Sequence, residues 1–250
     1  MAGWMTPPEL TPPSSPSATI TAPEGQIVAA FSDIIDSTNL WQLDQQLMLD
    51  AHTVFYSKVR ALAPLYHGYE VKNLGDGFFH TFQSGRDSLR FCLALQKELA
   101  ATRWSREIVE FRRAKDVERN IPTSNNRGLT VRMGIHFGSP FESHVDPISK
   151  RMDYHGNMVN VAARIMAQAD GDEIAVSDAV IMELDDNDVG FDLGATVVVL
   201  NRVTTLEKVL AEMGETAFEV LRKGPADNGG RVRLKGVSTP YVVTLIRLKR

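Results

Sequence analysis

Between Tyr69 and Phe82 the chain reads Tyr-Glu-Val-Lys-Asn-Leu-Gly-Asp-Gly-Phe-Phe-His-Thr-Phe, two strand-prone runs around Gly75-Asp76-Gly77. An Asp-Gly turn between such runs is a strong hairpin signal. A lone hairpin is barely stable in water, so it needs further strands or a covering helix. The rest of the chain supplies both. Gln26 to Phe31 is a short apolar run suited to a buried strand ending at Ser32-Asp33. Leu129 to Phe137 alternates like a strand, Glu173 to Val176 reads as another, and Arg231 to Leu248, broken at Gly236–Pro240, reads as a closing hairpin. Leu47, Ala51, Val54, Phe55, Val59 and Leu62 recur at helical spacing within Gln45–Leu65. Leu89, Cys92, Leu93 and Leu99 share one face of a second helix that Ser84 would cap. Asn157 to Gln168 is a third helix, and Ser177 would cap a fourth. Strands interleaved with helices, with at least two hairpins, predict an α+β domain: a mixed, largely antiparallel sheet flanked by helices, not a doubly wound parallel one. Arg103 to Arg127 is highly charged without a clear apolar period and reads as a solvated loop holding one short helical piece at most.

Six of the twelve prolines fall between Pro7 and Pro23, so residues 1–25 read as a solvated linker and residues 26–250 as one domain. A chain that opens on a linker is expected to be a piece of something larger. Its charge, 27 Lys+Arg against 31 Asp+Glu, disfavours a nucleic-acid scaffold, which rewards a basic surface. The lone Cys92 permits no internal disulfide and, set in a helical apolar row, reads as core; this points to a reducing, cytoplasmic setting. No run approaches the roughly 18 apolar residues of a membrane span, so no transmembrane segment is expected in this chain.

Two acidic residues stand at strand ends, Asp33 after the first buried run and Asp76 in the tight turn. If those strands are neighbours, the carboxylates meet at one edge of the sheet. Oxygen ligands without nearby His or Cys suit a hard cation such as Mg²⁺. Lys72 lies four residues before Asp76; Asp153 precedes Tyr-His-Gly; Asn160 and Arg164 follow four apart, on one helix face; Lys235 sits at the last bend. Singly, each has an ordinary explanation as a turn residue, a snorkelling lysine or a helix-face ion pair. Together they form a kit for stabilising a phosphoryl transition state. A P-loop, G-x-G-x-x-G, H-E-x-x-H and G-x-S-x-G are all absent.

The segments FSDIIDSTNLW (31–41), GYEVKNLGDGFF (68–79), LTVRMGIHFGSP (129–140), RMDYHGNMVNVAARI (151–165) and ADGDEIAVSD (169–178) resemble, in order, the catalytic domain of class III nucleotidyl cyclases, most closely those of fungal adenylate cyclases. RLKGVSTPYVV (233–243) is similar to the family's closing segment. The resemblance implies a ferredoxin-like core and a head-to-tail homodimer with sites at the interface. It implies that Asp33, Asp76 and the carbonyl of Ile34 hold two Mg²⁺ ions, with Mn²⁺ as a substitute. Lys72 and Asp153 would recognise adenine, Lys235 the terminal phosphates, and Asn160 and Arg164 the ribose and the transition state. Adenine offers a ring-nitrogen acceptor and an amino donor, which a Lys donor and an Asp acceptor complement; guanine reverses the pattern. The family's guanylate members carry Glu and usually Cys at these two positions, so the resemblance implies ATP as substrate and cyclic AMP with pyrophosphate as products. Asp36 is expected to cap a helix, His155 to pack, and Glu142 to Arg151 to be an insertion. A guanylate cyclase and a catalytically dead cyclase-like module are the competing readings.

Overall fold

The computed structural model describes residues 20–121, 128–186, 202–222 and 231–249. The elements of the first half are β1 (Ile27–Ile34), α1 (Ser37–Leu43), α2 (Gln45–Leu62), β2 (Tyr69–Asn73), β3 (Gly77–Phe82), α3 (Gly85–Ala101) and α4 (Arg106–Glu118). Then come β4 (Val131–Gly138), β5 (Glu142–Val145), β6 (Met152–His155), α5 (Asn157–Met166), β7 (Glu173–Ser177) and α6 (Asp178–Asp186). The chain closes with α7 (Arg202–Glu212), β8 (Phe218–Arg222), β9 (Arg231–Val232) and β10 (Tyr241–Leu248). The main sheet has the order β2-β3-β1-β4-β7-β10-β8, with β9 also on β10. Its one parallel pairing is β4 with β7; the others are antiparallel. This is the mixed, largely antiparallel sheet that the hairpin signals predict.

β1 lies in the middle of the site-bearing half, and its alternation divides the core. Val28, Ala30 and Ile34 face one side, packed with Phe55 and Val59 of α2, Leu89 and Cys92 of α3 and Ile181 of α6. Ile27, Ala29 and Phe31 face the other, where Met158 and Ala162 of α5 cover them. Phe31 stacks on Phe79 across the β1–β3 pair at 4.5 Å between ring centroids. Cys92 belongs to the core as expected, and burial pushes its thiol up to about 12, which leaves it inert.

Packing starts earlier than the composition suggests. Ile20 and Ala22 already lie against the α5 side of the sheet, and the Tyr154 hydroxyl donates to the Pro23 carbonyl at 2.7 Å. Residues 1–19 of the expected linker lie outside the described residues. The expected insertion folds largely as the β5–β6 hairpin, closed by Asp146, whose carboxylate accepts from the Ile148 and Ser149 amides.

The charged stretch after Arg103 corrects the sequence reading, because α4 runs for 13 residues there. Ser105 caps it by accepting from the Ile108 amide, and it docks through charge as much as through apolar contact. Arg112, buried, donates to Asp116 at 2.7 Å, to Asp172 at 3.1 Å and to the Thr130 hydroxyl. A helix held by an internal ionic cluster lacks the apolar stripe that periodicity detects. Residues 122–127 of the stretch lie outside the described residues.

Two histidines are buried neutral. Burial pushes His80 and His136 down to about 4 from an ordinary 6.5. Below pH 6.5 the unfolded chain takes up protons at these positions that the folded chain refuses until about pH 4. Stability therefore rises with pH across this window and is lost as pH falls through it. The two groups together should cost roughly 4 kcal/mol of unfolding free energy between pH 7 and pH 5. Denaturant melts at the two pH values measure this, and a His136→Gln chain should lose about half of the difference.

Candidate active site

Two carboxylates meet where β1 and β3 run side by side. Asp33 is opposite Gly77 in the β1–β3 register, Asp76 directly precedes Gly77, and the Ile34 amide donates to the Asp76 carbonyl at 3.0 Å. Glycine is required at 77, since a Cβ there would come within 2.1 Å of the Ser32 carbonyl oxygen. The Asp76 carboxylate accepts from the Ser37 hydroxyl at the start of α1 at 2.5 Å. Asp33 accepts from Nε and Nη2 of Arg132, at 2.9 and 2.5 Å, and Arg132 is its register partner on β4. Burial raises the Asp33 carboxyl above its usual range; the Arg132 guanidinium opposes this, and the Asp76 charge adds to it. The site thus resists holding two bare negative charges and favours a cation between them.

Among the described residues no group of three or more His, Cys, Asp or Glu could hold a metal ion. Two carboxylates with a neighbouring backbone carbonyl nonetheless fit Mg²⁺, which keeps few protein ligands and completes its shell with water and substrate phosphates. Asp36 stands at the start of α1 as expected, without a side-chain cap bond. It has a left-handed φ of 60° and accepts instead from Arg119 of α4 at 2.8 Å.

A second set lies around the β5–β6 hairpin. The Lys72 ammonium, on β2, donates to the Asp153 carboxylate, on β6, at 2.6 Å. The other Asp153 oxygen accepts from the Tyr154 amide at 2.8 Å. Burial pushes the Asp153 carboxyl up, but Lys72 and the Tyr154 amide outweigh it and hold the group below its ordinary value. His155, half exposed, stacks on His144 at 5.1 Å between centroids, with its Nε2 3.5 Å from Asp153.

The third set is on α5. Met158, Val161, Ala162 and Ile165 point into the sheet at i, i+3, i+4 and i+7, which turns Asn160 and Arg164 outward. Gly134 lets α5 come this close, since a Cβ there would sit 2.3 Å from the Met166 backbone. Lys235 is exposed in the turn between β9 and β10, beside Gly236 at a φ of 75°. Among the described residues, the side chains of Asn160, Arg164 and Lys235 make no hydrogen bond or ion pair, and none joins Asp33 or Asp76 to Lys72, Asp153 or α5.

Residues 21–207 match the adenylate and guanylate cyclase catalytic domain. The chain belongs to this family of cyclase domains. It is 36% identical over 245 residues to an adenylate cyclase of Mycosarcoma maydis, covering 92% of this chain. It is 35% identical over 230 residues to an adenylate cyclase of Podospora anserina, covering 90% of this chain. In both cases this chain spans only 10% of the relative's length. A solved adenylate cyclase of Trypanosoma brucei in its monomeric state shares the fold, with a TM-score of 0.69 at 24% identity over 90% of each chain.

Sequence reasoning overlooked Arg132 and Ser37. The sequence places Arg132 on the polar side of an alternating strand, and only the register against β1 shows that this is the side of Asp33.

Proposed function

We propose that this cyclase domain converts ATP to 3′,5′-cyclic AMP and pyrophosphate, in sites completed by a second copy of itself, for signalling on the cytoplasmic side of the cell. The observation that carries the choice of base is the Lys72–Asp153 pair, a donor and an acceptor from distant parts of the chain held 2.6 Å apart. Offered together, they complement the ring nitrogen and amino group of adenine. Guanine would leave both groups badly partnered. Fungal adenylate cyclases as relatives support the same reading.

Asp33, Asp76 and the Ile34 carbonyl would hold two Mg²⁺ ions, with Mn²⁺ as a substitute. Cations held there would supply charge to lower the pKa of the ribose 3′-hydroxyl and to neutralise the departing pyrophosphate. Asn160 would hold the ribose in line, Arg164 would meet the charge growing on the α-phosphorus, and Lys235 would bind the terminal phosphates. Attack within one substrate molecule lets a folded binding shape supply much of the acceleration. The outward, unpaired placement of Asn160 and Arg164 supports a site that closes only against a partner, and a two-fold pair would then hold two equivalent sites. Among the described residues no helix is long and apolar enough to cross a membrane.

The purified chain, assayed with ATP and with GTP under Mg²⁺ or Mn²⁺ across protein concentration, should form cyclic AMP with a rate per chain that rises with concentration. Product no greater than from an Asp33→Ala chain would overturn the enzyme reading. A Lys72→Glu, Asp153→Cys chain should shift the ratio of kcat/KM from ATP toward GTP by roughly 10²-fold or more. An unchanged ratio would remove this pair from base recognition.

A further inference from the structure

Helix α2 presents two donors, one turn apart, to a single backbone oxygen. His52 Nε2 lies 2.6 Å from the Gly75 carbonyl oxygen, and the Tyr56 hydroxyl donates to the same oxygen. A carbonyl only accepts, so His52 must carry its proton on Nε2. Burial raises the Tyr56 phenol above its ordinary value, so it too remains a donor. The two rings support each other at 3.9 Å between centroids, and Tyr56 packs on Phe78 at 4.6 Å.

The carbonyl they hold has a particular place. Gly75, at a φ of 89°, directly precedes Asp76, so its C=O shares one rigid peptide plane with the Asp76 amide. The following plane is fixed as well, because the Asp76 carbonyl accepts from the Ile34 amide at 3.0 Å. Asn73 Oδ1 accepts from the Gly75 amide at 2.8 Å, and the Leu74 amide donates to the Gly77 carbonyl at 2.9 Å. Both planes that set the direction of the Asp76 side chain are therefore pinned, one from β1 and one from α2.

We infer that His52 and Tyr56 are positioning residues for Asp76, holding its carboxylate at the spacing from Asp33 that a divalent cation needs. The inference rests on the reading of Asp76 as a metal ligand, and its test separates the two. Outer partners that orient ligands typically change metal affinity by about 10- to 100-fold when removed.

The full chain is compared with His52→Leu/Tyr56→Phe, Tyr56→Phe, His52→Gln and Asp76→Asn chains. Amide hydrogen exchange is followed over residues 73–77, and Mn²⁺ is titrated by paramagnetic resonance in the presence of an unreactive ATP analogue. Tyr56→Phe keeps the ring on Phe78, so at least one informative variant retains the fold. The double variant should exchange the Leu74 and Gly75 amides several-fold faster and bind Mn²⁺ about tenfold more weakly. His52→Gln, which keeps an N–H at a similar reach, should stay close to the parent. Unchanged exchange in the double variant and in Tyr56→Phe would overturn the tether. Faster exchange with unchanged Mn²⁺ affinity would overturn its purpose. Mn²⁺ binding that is indifferent to Asp76→Asn would overturn the metal reading itself, and this inference with it.

Discussion

An Asp33→Asn chain should lose cyclic AMP formation by roughly 10³-fold or more at saturating ATP, the loss of several kcal/mol of transition-state stabilisation. It should keep its fold. Asn is isosteric with Asp, and burial already disfavours charge at this position, so removing the charge relieves a cost as well as breaking the contact with Arg132. Arg132 is part-exposed, with its side chain at 30% of full accessibility, so water can solvate it when its partner is gone. The thermal midpoint should therefore move by only a few degrees while the activity disappears. Activity within tenfold of the parent, in a chain with an unchanged melt, would show that Asp33 does not serve the reaction.

Mixing two inactive chains should restore activity. An Asp33→Ala chain and a Lys72→Ala chain are each defective in both sites of their own homodimers. A heterodimer of the two carries both lesions in one site and neither in the other. At equal concentrations with random pairing half the dimers are mixed, so about one quarter of the sites are intact, and close to a quarter of the parent rate is expected. The baseline is near zero, so the gain is large. No recovery from a mixture shown by mass analysis to contain the heterodimer would place all the groups of a site in one chain. Dilution should remove the recovered activity more readily than it removes the fold, because the partners separate before the chain unfolds.

The sheet and much of the site were legible for physical reasons. The Gly75-Asp76-Gly77 turn, and a first strand that stops at Asp33, report their geometry through local backbone chemistry, and Asp33 falls opposite Gly77. Asn160 and Arg164 were legible because a 3.6-residue period fixes their side of α5. Helix α4 was not, because Arg112 and Asp116 occupy buried positions where periodicity looks for apolar side chains. The ion pair made by Asp36 was not legible for a related reason. Short acidic residues before a helix are usually caps, but the ion pair with Arg119 joins positions 83 residues apart and leaves no local trace. Arg132, His52 and Tyr56 share this difficulty, since each acquires its meaning from a strand or turn that only the tertiary register brings to it.

The close approach at Gly77 also bears on how such a domain tolerates change over time. The gap between β3 and β1 is closed by main-chain atoms, with no room for even a methyl group against Ser32. Substitutions that enlarge or shrink the surrounding core can loosen the aromatic layer, yet they do not reach the backbone contact that sets the two aspartates side by side. Drift in the interior is thus uncoupled from the backbone contact that pairs the two strands at this point. The core can be repacked around a turn in which position 77 has an alphabet of one letter.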